Sequence, residues 1–389
     1  MLKLAGYQEV NQIYAGNRTL VYRGIQTTTQ QPVIIKVLRN PHPNFQELVR
    51  FRNQYIITRN LEHPAIVQPL TLERYFNGYA LVMPDNGALS LLEYWQQYPS
   101  DLSQFLSIAL QLAEALNYLG QNRIIHKDIK PTNILIHPET CQIQLIDFSI
   151  SSLLPKEQQQ LVNPNVLEGT LAYISPEQTG RMNRGIDYRT DFYSLGVTLY
   201  EILTGIVPFQ SSDPMELLHC HIAKAPLAPN ELLDNQGQPY PEAISEIILK
   251  LMAKNAEERY QSILGLKYDL ERCLQQWEAT GEITPFELGE NDRSDRFIIP
   301  EKLYGREAEV QVLLDAFERI ANPPESPLGK GGHRGVGAEL LLVAGFSGIG
   351  KTAVVNEVHK PIIRQRGYFI KGKFDQLNRN VPFWAFVQA

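Results

Sequence analysis

Four polar residues in two short runs could do chemistry together. In IIHKDIKPTNIL, residues 124–135, Asp128, Lys130 and Asn133 stand at positions 0, +2 and +5. In QLIDFSIS, 19 residues after Asp128, the apolar pair Leu145 and Ile146 delivers Asp147. Two carboxylates, an amide and an ammonium group are the oxygen donors and the counter-charge from which a metal-dependent site is built. Taken singly they have plainer readings, Asp128 as a turn residue and Asn133 as a helix cap. A second signal lies in ELLLVAGFSGIGKTAVVNEVHKPI, where Gly345, Gly350, Lys351 and Thr352 satisfy G-x-x-x-x-G-K-[ST], with Gly348 inside the loop. Backbone N–H groups of such a loop cradle phosphates, Lys351 reaches the β- and γ-phosphates and Thr352 ligates Mg²⁺.

Both sets need elements to position them. Short β-rich runs, TLVYRGI and PVIIKVL, precede a helical stretch from about Phe45 to Leu61, and the strand-like QPLTLERYF and YALVMP follow. Helices then take over. SQFLSIALQLAEALNYL places Phe105, Ile108, Leu112, Leu116 and Leu119 on one stripe, with Ser103 or Asp101 as N-cap. TDFYSLGVTLYEILTG, EAISEIILKLMAK and SILGLKYDLERCLQQW continue the helical pattern to about Trp277. Residues 278–300 turn polar and acidic, which reads as a linker. A new unit opens at YGREAEVQVLLDAFERIA, interrupted at 321–337 by a Gly/Pro-rich insert. An apolar strand before the phosphate loop and a helix after it give the motif its expected context.

HKDIKPTN resembles the catalytic loop HRDxKxxN of the eukaryotic-type (Hanks-type) serine/threonine protein kinases, and IDFS resembles that family's metal-binding DFG. The resemblance spans about residues 7–275 and implies an α+β, bilobal protein-kinase fold, a small β-rich lobe to about residue 85 and a larger helical lobe over 86–277. It implies ATP and Mg²⁺ as cofactors and a protein Ser or Thr as acceptor. Asp128 would orient the acceptor hydroxyl or take its proton, Asn133 and Asp147 would hold Mg²⁺, and Lys130 would steady the transferring phosphoryl group, because this chemistry needs positioning and charge neutralisation more than covalent help. Lys36 of PVIIKVL falls where the family has the strand lysine that contacts the α- and β-phosphates. Glu177 of SPE would pair with Arg259, and Asp191 would brace the catalytic loop. Met83 and Gly87 fall at the gatekeeper and hinge beside adenine.

The sequence departs from the family at several points. Aligning Val21 with the valine that follows the glycine-rich loop puts Tyr14, Gly16 and Thr19 at the three glycine positions, so Gly16 alone remains. Gln54 stands where a glutamate partner of Lys36 is expected. Lys127 replaces an arginine that receives activation-loop phosphate, and residues 153–169 hold no Ser, Thr or Tyr, so the loop is expected not to be switched by phosphorylation. Ser149, in place of the DFG glycine, should restrict swinging more than metal binding. These losses define the alternative reading, a pseudokinase or nucleotide-binding scaffold; retention of Lys36, Asp128, Asn133 and Asp147 opposes it.

YGRE looks like the entry to AAA-type ATPase domains, so 301–389 is expected to be the first part of an α/β P-loop NTPase unit. Only 38 residues follow Lys351, too few for an acidic Walker B strand, and Asp375 reads as a surface residue. The order of units is similar to the N-terminal part of bacterial, especially cyanobacterial, hybrid proteins joining a Ser/Thr kinase to an ATPase, a GAF sensor and a histidine kinase, which implies downstream signalling domains or partner proteins. A net charge of −6 without a basic stripe argues against nucleic acid. No run approaches the ~20 apolar residues of a membrane helix. Three scattered cysteines, Cys141, Cys220 and Cys273, and an N-terminus without an apolar signal segment place the chain in the cytoplasm.

Overall fold

Strand pairing begins with the β-branched alternation of the first 40 residues. The computed structural model describes residues 4–98, 101–153, 170–180, 185–234, 237–293, 305–321, 338–346 and 349–356. Strands β1 (Tyr7–Ala15), β2 (Thr19–Gln26), β3 (Pro32–Leu38), β4 (Thr71–Tyr75) and β5 (Gly78–Pro84) form an antiparallel sheet in the order β1-β2-β3-β5-β4. Val33, Ile35 and Val37 alternate onto one buried face with Tyr22, Ala80 and Val82, so the two-residue period puts Lys36 on the other. That face meets helix α1 (Phe45–Thr58). Asn44 opens α1 with a capping box, its side chain accepting from the Glu47 amide while Glu47 accepts from the Asn44 amide.

The second lobe is helical around one large core. Helix α2 (Leu91–Gln97) leads to α3 (Leu102–Gln121), capped by Asp101, which accepts from the Gln104 amide at 2.8 Å. Between the expected caps the structure selects Asp101, because its side chain reaches the orphan amide at N3. Strands β6 (Leu89–Ser90), β7 (Ile134–Ile136) and β8 (Ile143–Leu145) form a small antiparallel sheet in the order β6-β7-β8. Helix α4 (Arg189–Thr204) is buried almost throughout. It is followed by α5 (Pro214–Ala223), α6 (Glu242–Leu251) and α7 (Ile263–Thr280). Gly196 of α4 allows the α6 contact, since a Cβ there would lie 2.8 Å from Leu251 Cβ and Met252 Cγ.

Residues 281–293 do not behave as the polar linker that their composition suggests. Ile283, Phe286 and Leu288 pack on the core, and the Arg272 guanidinium lies 4.2 Å over the Phe286 ring. Asp292 accepts from the Gln261 amide (2.8 Å), the Ser262 amide (2.7 Å) and the Ser262 hydroxyl (2.9 Å). The approach is so close that a Cβ on Gly265 would lie 2.6 Å from the Asp292 backbone. Three apolar residues spaced among acids escape a reading by average polarity.

Beyond residue 304 the described elements are α8 (Glu307–Ala321) and α9 (Lys351–Asn356). The strand expected before the phosphate loop is not formed among the described residues: 338–346 carry no ladder, and Leu340 and Leu342 are 97% and 90% exposed. Gly348, the Thr352 side chain, residues 322–337 of the insert, 154–169 of the phospho-acceptor-free loop, and Asp375 with the chain end lie outside the described residues.

Candidate active site

Lys36 is built into its place from three sides. On β3 it pairs in register with Val21 of β2 and Leu81 of β5. Its Nζ donates to Gln54 Oε1 of α1 at 2.9 Å and meets Asp147 Oδ2 at 3.0 Å. Burial raises the Asp147 carboxyl, but the Lys36 charge and hydrogen bond, with a hydrogen bond from Ser149, outweigh it and hold the group down at about 2. Asp147 has φ +65°, in the left-handed region. A non-glycine residue held there is backbone strain of the kind stored at functional sites. Its second oxygen, Oδ1, is shut off from water and has no hydrogen-bond partner.

The catalytic-loop candidates meet Asp128. Lys130 Nζ donates to Asp128 Oδ2 at 2.7 Å, and Asn133 Nδ2 donates to the same oxygen at 2.8 Å and to the Asp128 carbonyl at 2.9 Å. Asn133 thereby keeps its side-chain oxygen free of those bonds. Its backbone carbonyl accepts from the Ile146 amide at 3.0 Å, which joins this loop to the one carrying Asp147.

Thr170 also belongs to the cluster, although no motif marks it. Its amide and hydroxyl donate to Asp128 Oδ1 at 3.1 and 3.2 Å, and its hydroxyl accepts from Lys130. Its only signal in the sequence is its place at the head of TLAYISPE.

Behind the cluster, Asp191 of α4 accepts from the His126 and Lys127 amides, both at 2.7 Å. Burial pushes its carboxyl up to about 7, against those two bonds, which favour the anion. Glu177 meets Arg259 in a bidentate pair, at 2.7 and 2.9 Å, with the Arg259 side chain fully buried. Burial raises Glu177, yet the Arg259 charge and hydrogen bonds hold it at about 2.

Gly16, Met83 and Gly87, expected beside the nucleotide, lie on the first sheet and just after it. Gly16 closes the β1–β2 turn, its amide donating to the Thr19 carbonyl at 2.9 Å, and a Cβ there would lie 2.8 Å from the Tyr14 ring. Met83 pairs with Ile34 at the end of β5. Gly87 adopts φ +77° and its amide donates to Asp85 Oδ1 at 3.1 Å. The phosphate-loop residues lie apart from this cluster in the chain. There Lys351 Nζ donates to the Gly345 and Phe346 carbonyls at 2.6 and 2.7 Å.

The chain matches the protein kinase domain family over residues 7–269 and the AAA ATPase domain family over residues 302–389. It is 32% identical to hybrid signal transduction histidine kinase G of Dictyostelium discoideum over 376 residues, covering 74% of this chain and 10% of that protein. It is 31% identical to serine/threonine-protein kinase PrkC of Bacillus subtilis over 273 residues, covering 69% of this chain and 40% of PrkC. It is 29% identical to PknB of Mycobacterium tuberculosis over 276 residues, covering 66% and 41%. The chain thus spans between a tenth and 41% of the length of these relatives.

Proposed function

Because the chain belongs to the protein kinase domain family, we propose that it is a serine/threonine protein kinase that transfers the γ-phosphate of ATP to a Ser or Thr hydroxyl of a protein, in bacterial signalling. The observation that carries this reading is the convergence of Lys130, Asn133 and Thr170 on Asp128, one backbone hydrogen bond from the loop where Lys36 holds Asp147. Asp128 accepts the proton of the attacking hydroxyl while the hydroxyl oxygen bonds to the γ-phosphorus, the bond to the β–γ bridging oxygen breaks and ADP leaves. Lys36 binds the α- and β-phosphates, and Lys130 meets the moving phosphoryl group.

Asp147 and Asn133 fit a magnesium ion, because Asp147 Oδ1 is a buried carboxylate oxygen without a partner and the Asn133 oxygen is unspent. When bound, the ion neutralises phosphate charge. The pseudokinase alternative is not favoured, since all four key side chains are present and linked. Free thiols at Cys141, Cys220 and Cys273 agree with a cytoplasmic setting, and among the described residues no helix is long and apolar enough to cross a membrane. The AAA ATPase match after the kinase region supports a place within a larger signalling assembly, with further domains or partner proteins. Radiolabelled ATP with a generic protein substrate tests the reading: wild type must label the substrate, and Asp128→Asn and Asp147→Asn must lose labelling. Equal labelling by all three would end it.

A further inference from the structure

Helix α1 carries Gln54, the partner of Lys36, yet much of its outer face is bare: Phe45, Val49 and Ile56 are exposed. Two adjacent side chains tie it to the site. Gln54 reaches Lys36, and Asn53 Nδ2 donates to the Ser151 carbonyl at 2.9 Å across 98 residues of sequence. Ser151 is itself fixed. Its hydroxyl donates to the His126 carbonyl at 3.0 Å, and the neighbouring Ser152 exchanges backbone hydrogen bonds with Ile125, both at 3.0 Å. His126 leads into the catalytic loop and is braced by Asp191.

We infer that Asn53 is a positioning residue, a phosphate-independent latch that ties helix α1 to the segment after Asp147 and so keeps Gln54 and Lys36 aligned with the catalytic loop. The inference rests on the kinase reading proposed above. Residues 153–169 contain no Ser, Thr or Tyr, and residue 127 is lysine, so that stretch offers no hydroxyl to carry a phosphate that could hold the helix. A neutral amide bonded to a backbone carbonyl does this without a modifying enzyme. It needs a donor at residue 53 and a carbonyl held still, and the Ser151–His126 and Ser152–Ile125 bonds supply the second.

The test compares wild type with Asn53→Asp, which keeps the shape but removes the donor, and Asn53→Ala. Loss of one neutral hydrogen bond should lower kcat/KM for ATP about fivefold in the alanine variant, and further in the aspartate variant, whose carboxylate faces a carbonyl oxygen. Amide exchange in α1 should speed up in both, with the melting temperature moved by no more than about 3 °C. A merely structural role would lower the melting temperature while leaving kcat/KM per folded molecule intact. Unchanged kcat/KM and unchanged α1 exchange in both variants overturn the latch and leave the kinase reading standing. A wild type that transfers no phosphate overturns the kinase reading, and α1 exchange still decides the latch. If the aspartate variant fails to fold, the alanine variant carries the same measurements.

Discussion

Two ion-pair positions, on the front and the rear side of the Asp128 cluster, are built in opposite ways. At the rear, Glu177 and Arg259 bury two full charges in a bidentate pair, with further bonds from Thr190 to Glu177 and from Arg259 to the Arg189 carbonyl. At the front, Lys36 faces one charge and one neutral amide, and Asp147 keeps an oxygen without a partner. The rear satisfies every strong group and so behaves as an anchor. The front leaves one carboxylate oxygen unspent and asks for a ligand. Activity at the front and stability at the rear should therefore respond to different substitutions.

The largest effects should fall at the front, on rate. Asp128→Asn should lower phosphoryl transfer about 10²- to 10⁴-fold, as for loss of a positioned base, and Asp147→Asn should cost on the order of 10³-fold; both are read by labelling assays on variants with near wild-type melting. If either variant melts far below wild type, the division between front and rear breaks. At the rear, Arg259→Ala strands a buried carboxylate and should cost about 3–5 kcal/mol of stability in denaturant unfolding. The same pair sets an acid limit. Glu177 titrates near 2 when folded against an ordinary 4.5, so its contribution, about 3 kcal/mol, is present above pH 4.5 and is lost as pH falls toward 2. Glu177→Gln should be less stable at pH 7 and show a flatter loss between pH 4.5 and 2 in urea midpoints.

Smaller effects sharpen the contrast. Gln54→Ala removes one hydrogen bond to Lys36 and should lower kcat/KM for ATP about five- to tenfold. Gln54→Glu converts the bond to an ion pair and should stay within about threefold of wild type, since Lys36 and Gln54 are both buried and there the cost of desolvating a new carboxylate offsets much of its attraction to the lysine. Phosphatase treatment of the wild type should leave labelling unchanged, and a large loss would show that the segment after Asp147 depends on phosphate after all.

The site was legible where chemistry demands side chains at fixed spacing. Asp128, Lys130, Asn133, Asp147 and Lys36 stand in motifs, Gln54 followed from its distance to the segment after it, and the Glu177–Arg259 pairing followed from the kinase resemblance. The two-lobe order of strands and helices was likewise carried by hydrophobic period. Thr170, Asn53 and the packing of 281–293 were not legible, because each depends on contacts between segments far apart in sequence. Asn53 meets a backbone carbonyl 98 positions away, and a carbonyl leaves no mark in side-chain identity. The run at 339–345 forms no ladder among the described residues: β-propensity is a preference for a pleated, half-buried surface, which sequence pattern alone does not supply.

The close fit of Asp292 over Gly265 decides where this chain can be divided. A protein ended after Trp277, where the helical pattern fades, would strip three hydrogen bonds from the turn at Gln261 and Ser262, beside the arginine that anchors Glu177, and would bare the face that Phe286 covers. One ended after Arg293 keeps both. The packing built on Gln261 and Ser262 therefore extends to Asp292, a dozen residues past the end of α7 at Thr280.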